Sequence, residues 1–265
     1  MEGLLSHEKD EIREIYESRN ILKALVVKNL IGRYRNSVLG FGWHFIMPIV
    51  MMCVYHLVFS QIRVSPIDDF WVYLSSGLFA FNYMTSNLVS GSSVLVSNSG
   101  MIKKMYFPRE ILVLSQVISS FIIMMIGYAL VLAITMLVGF NLTFNILLLP
   151  LVFISIFVFV TGYVLVFSAL TVYVRDVQYF LSSISMVFFF LTPMYFTVDS
   201  IGGMLQTVVW LNPFTYYVET CHDILFYGCL PDSGILMMLV VLPLVSIFIG
   251  IVVFRKLRVG FAERL

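Results

Sequence analysis

Long apolar runs, broken by short polar stretches, dominate this chain of 265 residues. Six reach or exceed the ~20 residues that a helix needs to cross the hydrocarbon core of a bilayer. They cover 41–60, 70–96, 111–140, 146–173, 177–196 and 235–254. Every backbone N–H and C=O in a bilayer must be paired within its own segment, so runs of this kind predict helices. The fourth and fifth are separated only by Val174, Arg175 and Asp176, which predicts a tight turn. Two stretches follow a different pattern. Residues 21–31 place Leu22, Leu25, Val26 and Leu30 on one face, with Lys23, Lys28 and Asn29 elsewhere. That is an amphipathic helix, lying in the membrane interface or packed on a partner. After the fifth run, Pro193 ends or kinks the helix. Two short apolar segments then follow at 204–210 and 214–228, interrupted by Asn212-Pro213. Each is too short to cross unless tilted, and together they predict a re-entrant helical pair. A full crossing by both is the alternative, and their lack of Lys and Arg permits it.

The predicted fold class is therefore all-α: a polytopic membrane protein with six transmembrane helices, an N-terminal amphipathic interfacial helix and re-entrant outer helices between spans five and six. Residues 1–36 form the amino-terminal region and interfacial helix, and 37–265 the transmembrane domain. Composition agrees: 60% of residues are hydrophobic and 12% charged, against about 25% charged in an average soluble domain. The first twenty residues are rich in Glu, Lys and Arg, which is not the pattern of a cleavable secretory signal.

Charge orients the spans. Seven Lys or Arg precede the first, three lie between the second and third, one between the fourth and fifth, and four follow the last, leaving only Arg63 of the sixteen on the other side. That other side carries Asp68, Asp69, Asp199, Glu219, Asp223 and Asp232. The positive-inside rule then puts both termini in the cytoplasm. A net charge of +1 with no basic tract gives no reason to expect nucleic acid as a partner.

Candidate chemistry is sparse. There is no G-x-x-x-x-G-K-[ST] loop to cradle a nucleotide phosphate. Gly91-Ser92-Ser93 lacks the second glycine and the later His of an intramembrane serine protease. His44 and His56 stand about 18 Å apart along one helix, too far to share a metal. Glu219, His222 and Asp223 fall within one turn, either as a cation site or as the wet face of an outer helix. Cys221 and Cys229 are either a pair on an oxidising face or free packing thiols. The span cores carry no charge, which argues against proton or ion coupling and for energy supplied from elsewhere. Arg33 and Arg35, between the amphipathic segment and the first span, are topology anchors or a fork for a phosphate. Tyr55, Phe59, Phe79, Tyr83, Phe189 and Tyr195 lie within the spans, either as packing bulk or as apolar walls on which sugar rings stack.

The ordered set Arg33-Tyr34-Arg35-Asn36-Ser37-Val38-Leu39-Gly40 with Trp43 and Pro48, Lys103-Lys104-Met105-Tyr106-Phe107-Pro108-Arg109, Tyr173-Val174-Arg175-Asp176, Thr192-Pro193-Met194-Tyr195 and Asn212-Pro213 resembles the membrane subunit of ABC-2-type polysaccharide exporters, permeases for O-antigen, teichoic acid or capsule. The resemblance implies a homodimer in the bacterial cytoplasmic membrane, paired with two ATP-binding subunits that hold the ATP and Mg. This chain itself carries no cofactor, metal or catalytic residue in that scheme. It also implies a glycan on undecaprenyl diphosphate or a similar lipid as cargo. The diphosphate would enter at Arg33, Arg35 and Trp43. The glycan would pass the span aromatics to an outer gate at Glu219, His222 and Asp223. ATPase coupling would fall on the 98–110 loop through Lys103, Lys104, Tyr106, Phe107, Pro108 and Arg109, with Arg175 and Asp176 as a second contact or a simple turn cap. Competing readings are an ABC-2 permease for drugs or small lipids, a membrane polyprenyl-phosphate glycosyl- or acyltransferase, and a scaffold subunit.

Overall fold

The computed structural model describes residue 14 and residues 16–32, 37–62 and 69–264. Arg33, Arg35 and Arg63 lie outside the described residues, as do the side chains of Tyr55 and Phe59. The described chain is helical, with no strand. Helix α1 is Arg19–Gly32 and α2 is Trp43–Ile62. Helix α3, Phe70–Ser86, continues through a π-helical turn, Asn87–Gly91, into the short α4, Val94–Ser97, and α5, Ser99–Lys104. Then come α6, Glu110–Val138, and α7, Leu149–Tyr173, which a 3₁₀ turn at Phe144–Leu148 leads into. Helix α8 is Asp176–Leu191, α9 is Met204–Leu211 and α10 is Pro213–His222. A second π-helical turn, Asp223–Tyr227, precedes α11, Ser233–Leu257, and α12, Phe261–Arg264. Among the described residues, three stretches are long and apolar enough to cross a membrane: Glu110–Val138, Phe144–Tyr173 and Ser233–Gly260.

The core forms where small residues let backbones meet. The α7–α11 interface is the most extensive among the described residues. A Cβ on Gly162 would run into the backbone of Ser246, and one on Gly250 would lie 2.5 Å from the Gly162 carbonyl oxygen. Ser246 and Gly250 are one helical turn apart, the small-xxx-small spacing of close membrane helix pairs. Around that contact Ser246 Oγ donates to the Phe159 carbonyl (2.8 Å) and Tyr173 Oη to that of Leu257 (2.8 Å). On the other flank, Gly127 of α6 accepts the ring of Phe79, and Gly91 accepts Val164.

Helix α1 does not stand free. It packs along α6, burying Leu25, with Asn29 Nδ2 donating to Ser115 Oγ at 3.4 Å. Its apolar stripe therefore has a partner within the chain.

Candidate functional site

At the acidic end, the Thr192-Pro193 and Asn212-Pro213 motifs lock together. Thr192 before Pro193 is held extended, which stops α8 at Leu191. Asn212 caps α10, its Oδ1 accepting from the Phe214 N–H (3.1 Å), with Pro213 in the first turn. The Asn212 amide donates to Thr192 Oγ1 at 2.8 Å, and Tyr73 Oη donates to the carbonyl of Phe196 at 2.9 Å. Gly228, at φ 65° against Thr143, accepts from Asn145 Nδ2 at 2.8 Å and so ties the 139–145 loop to the turn after α10.

The Glu219, His222 and Asp223 trio is split by this packing. His222 is fully buried, its ring 3.9 Å from that of Tyr73 and seated on Gly77, where a Cβ would lie 2.7 Å from Nε2. The expected wet outer face is thus corrected for His222, because α10 turns that residue towards α3. Neither of its ring nitrogens has a hydrogen-bond partner among the described residues, and the nearest carboxylate, Glu219 Oε1, stands 3.7 Å from Nδ1. Asp223 remains partly accessible. Burial, reinforced by the Glu219 charge, raises its carboxyl to about 6. No group of three His, Cys, Asp or Glu able to hold a metal occurs among the described residues. Cys221 is buried and unpaired with Cys229, its sulfur 3.2 Å from Tyr128 Oη.

The aromatic wall is also redrawn. Phe79 and Tyr83 are interior residues of this chain. Phe79 fills the space left by Gly127, and Tyr83 reaches the Val117 carbonyl at 3.4 Å. Phe189 and Tyr195 are partly exposed and pack on each other, ring centres 5.3 Å apart. What the carboxyl-terminal end of α3 and the turns that continue it present outward instead is largely polar. Asn82, Thr85 and Ser86 of α3, Ser90 of the π-helical turn, Ser93 just before α4 and Ser97 within it recur at helical spacing on one accessible side. The hydroxyls donate to their own helix, as Thr85 does to the Phe81 carbonyl (2.8 Å) and Ser97 to that of Ser93 (3.0 Å), which leaves acceptor lone pairs outward. Gln116 of α6 joins through Ser90 Oγ at 3.1 Å, and α8, packed beside the π-helical turn, adds exposed Ser182 and Ser183. The sequence signal was the three- and four-residue spacing of hydroxyl and amide residues inside an apolar run.

At the basic end, the 98–110 loop is divided within two residues. Tyr106 is fully exposed beside exposed Lys103, Lys104 and Met105, whereas Phe107 is 8% exposed and belongs to the core. The expected aromatic knob is therefore Tyr106 alone. Pro108 and Arg109 are half-buried, and Arg109 Nη1 donates to the Arg258 carbonyl at 2.6 Å. Arg175 and Asp176 are both exposed at the α7–α8 turn. Trp43, partly exposed, opens α2.

Membrane-length apolar helices held by small-residue contacts define an α-helical integral membrane protein. Its accessible polar stripe suits transport, and similarity to known proteins places it more closely. The chain belongs to the ABC-2 type transporter family, whose model matches residues 20–226. It is 28% identical to the O-antigen export system permease protein RfbA of Myxococcus xanthus over 95% of this chain and 98% of that one. It is 25% identical to a protein of the same name from Klebsiella pneumoniae, over 92% and 94% of the two chains. It is 23% identical to the polysialic acid transport protein KpsM of Escherichia coli, over 88% and 92%.

Proposed function

We propose that this chain is the permease subunit of an ABC exporter that moves a lipid-linked polysaccharide across the cytoplasmic membrane, driven by separate ATP-binding subunits. The observation that carries the reading is similarity over most of the chain to an O-antigen export permease and a polysialic acid transport protein, joined to an accessible polar stripe running from α3 to α4. A hydroxyl-lined helix face is poorly suited to lipid and well suited to a hydrated glycan. Two copies facing each other across that stripe and α8 would enclose a path.

The proposed topology has six spans with both termini cytoplasmic. Helices α2, α3 and α8 join the three long ones. At ~1.5 Å per residue the sixteen residues of α8 rise about 24 Å, enough with slight thinning of the bilayer. Helices α9 and α10, of eight and ten residues, rise only about 12 and 15 Å, which favours a re-entrant pair. The 98–110 loop, with Tyr106 and its lysines, meets the ATPase. Arg33 and Arg35 hold the lipid diphosphate on the cytoplasmic side.

Deleting the gene in its host tests this. The surface polysaccharide should disappear and its lipid-linked precursor accumulate inside, with both reversed by the wild-type chain. Unchanged surface polysaccharide would overturn the proposal.

A further inference from the structure

The carboxyl-terminal segment lies beyond the residues that the family model matches, yet it is built into the molecule. After α11 the chain turns at Arg258–Gly260 and enters α12. Phe261 is completely buried, its ring 5.5 Å from that of Phe254 and 6.4 Å from that of Tyr173. Arg258 Nη1 pairs with Glu110 Oε1 at 3.2 Å, while its own carbonyl accepts from Arg109 at 2.6 Å. The Arg109 guanidinium also sits 5.7 Å over the Phe261 ring, and that of Arg264 sits 4.6 Å over Tyr173. One short segment therefore grips the end of the 98–110 loop, the first residue of α6, the last residue of α7 and the end of α11. The contacts differ in kind and converge from three helices, which is more than a frayed terminus needs.

We infer that this segment is a clasp. It sets the position of the 98–110 loop and transmits that loop's displacement to α7 and α11, the pair packed through Gly162 and Gly250. The inference rests on the reading that this loop meets the ATPase. Without the clasp the loop would swing on its own: the ATPase could still bind and hydrolyse ATP, but the stroke would not reach the spans. Arg258, Phe261 and Glu110 are positioning residues in this account.

Two measurements test it. The first uses the purified chain alone, reading amide hydrogen exchange across 105–112. Phe261→Ala should speed exchange there about tenfold or more, because a buried ring is lost. Glu110→Gln and Arg258→Gln should each speed it about two- to fivefold, and the double variant no more than the worse single. Unchanged exchange in Phe261→Ala, or additive effects in the pair, would overturn the clasp. The second uses the chain co-expressed with its ATPase subunit, comparing ATP hydrolysed with glycan exported. Phe261→Ala should still co-purify and hydrolyse ATP, while export per ATP falls about fivefold, the scale of a coupling carried by a packed network. An unaltered ratio would overturn transmission through the segment. A wild-type chain that binds no ATPase subunit would remove the proposed function, and the exchange measurement would still decide the clasp.

Discussion

Single polar side chains at the acidic end have consequences out of proportion to their number. Asn212 satisfies an orphan N–H of α10 and bridges to Thr192, where α8 stops. Asn212→Ala removes both bonds, and loss of a cap of this kind costs about 1–2 kcal/mol. Unfolding in detergent should show that loss, with Asn212→Asp retaining most of the cap. Asp223 is the pH-sensitive residue. Its carboxyl is raised to about 6 by burial and then by the Glu219 charge, so the folded chain holds a proton that the unfolded chain has already released. Between the ordinary carboxylate range and about pH 6 the folded state binds more protons, and stability falls as pH rises. Asp223→Asn should therefore raise the melting temperature above pH 6 and flatten the melting profile between about pH 4 and 6. A profile unchanged by the substitution would contradict this.

At the scale of elements, the 98–110 loop separates the proposed docking contact from folding. Tyr106 touches solvent and Phe107 touches the core, so the two alanine variants should behave oppositely. Tyr106→Ala should leave melting unchanged and weaken ATPase co-purification, by about tenfold or more if the tyrosine is an interface anchor. Phe107→Ala should lower the melting temperature first. The α7–α11 pair makes a second expectation. Gly250→Val would push a side chain into the Gly162 carbonyl, and overpacking of this kind costs about 1–3 kcal/mol. The variant should unfold at lower temperature, whereas a valine at exposed Gly202, which meets nothing, should not. At element scale the sequence reading placed the helices closely: 111–140 became Glu110–Val138 and 21–31 became Arg19–Gly32. It ran 70–96 as one helix, where the chain inserts a π-helical turn at Asn87–Gly91. Apolarity does not reveal a π-helical turn, because one extra residue per turn leaves composition untouched.

For the whole molecule, the charge asymmetry predicts orientation. Alkaline phosphatase fused after Leu265 should be inactive, and the same enzyme inserted beside Asp199 should be active, since it folds only outside the cytoplasm. Activity at the carboxyl terminus would reverse the proposed topology. The Arg33→Lys, Arg35→Lys double variant keeps the charge that sets orientation but loses the bidentate fork. It should insert normally, co-purify with the ATPase and export poorly. Normal export would leave these residues as anchors only.

Composition and periodicity alone determined that this chain is helical and made for a bilayer, because a run of apolar residues long enough to cross permits little else. They also located the turns, since Pro193, Asn212-Pro213 and the Val174–Asp176 break act locally. Which face each helix shows was decided by tertiary structure. Phe79 went inside because Gly127 on another helix left room for its ring, and His222 went inside because Gly77 did. Tyr106 and Phe107 parted company because the loop is held from beyond its own ends, by Arg258 nearly one hundred and fifty residues away. Complementarity between distant segments has no period to read along a chain, and it is that complementarity which put the polar stripe running from α3 to α4 on the accessible side.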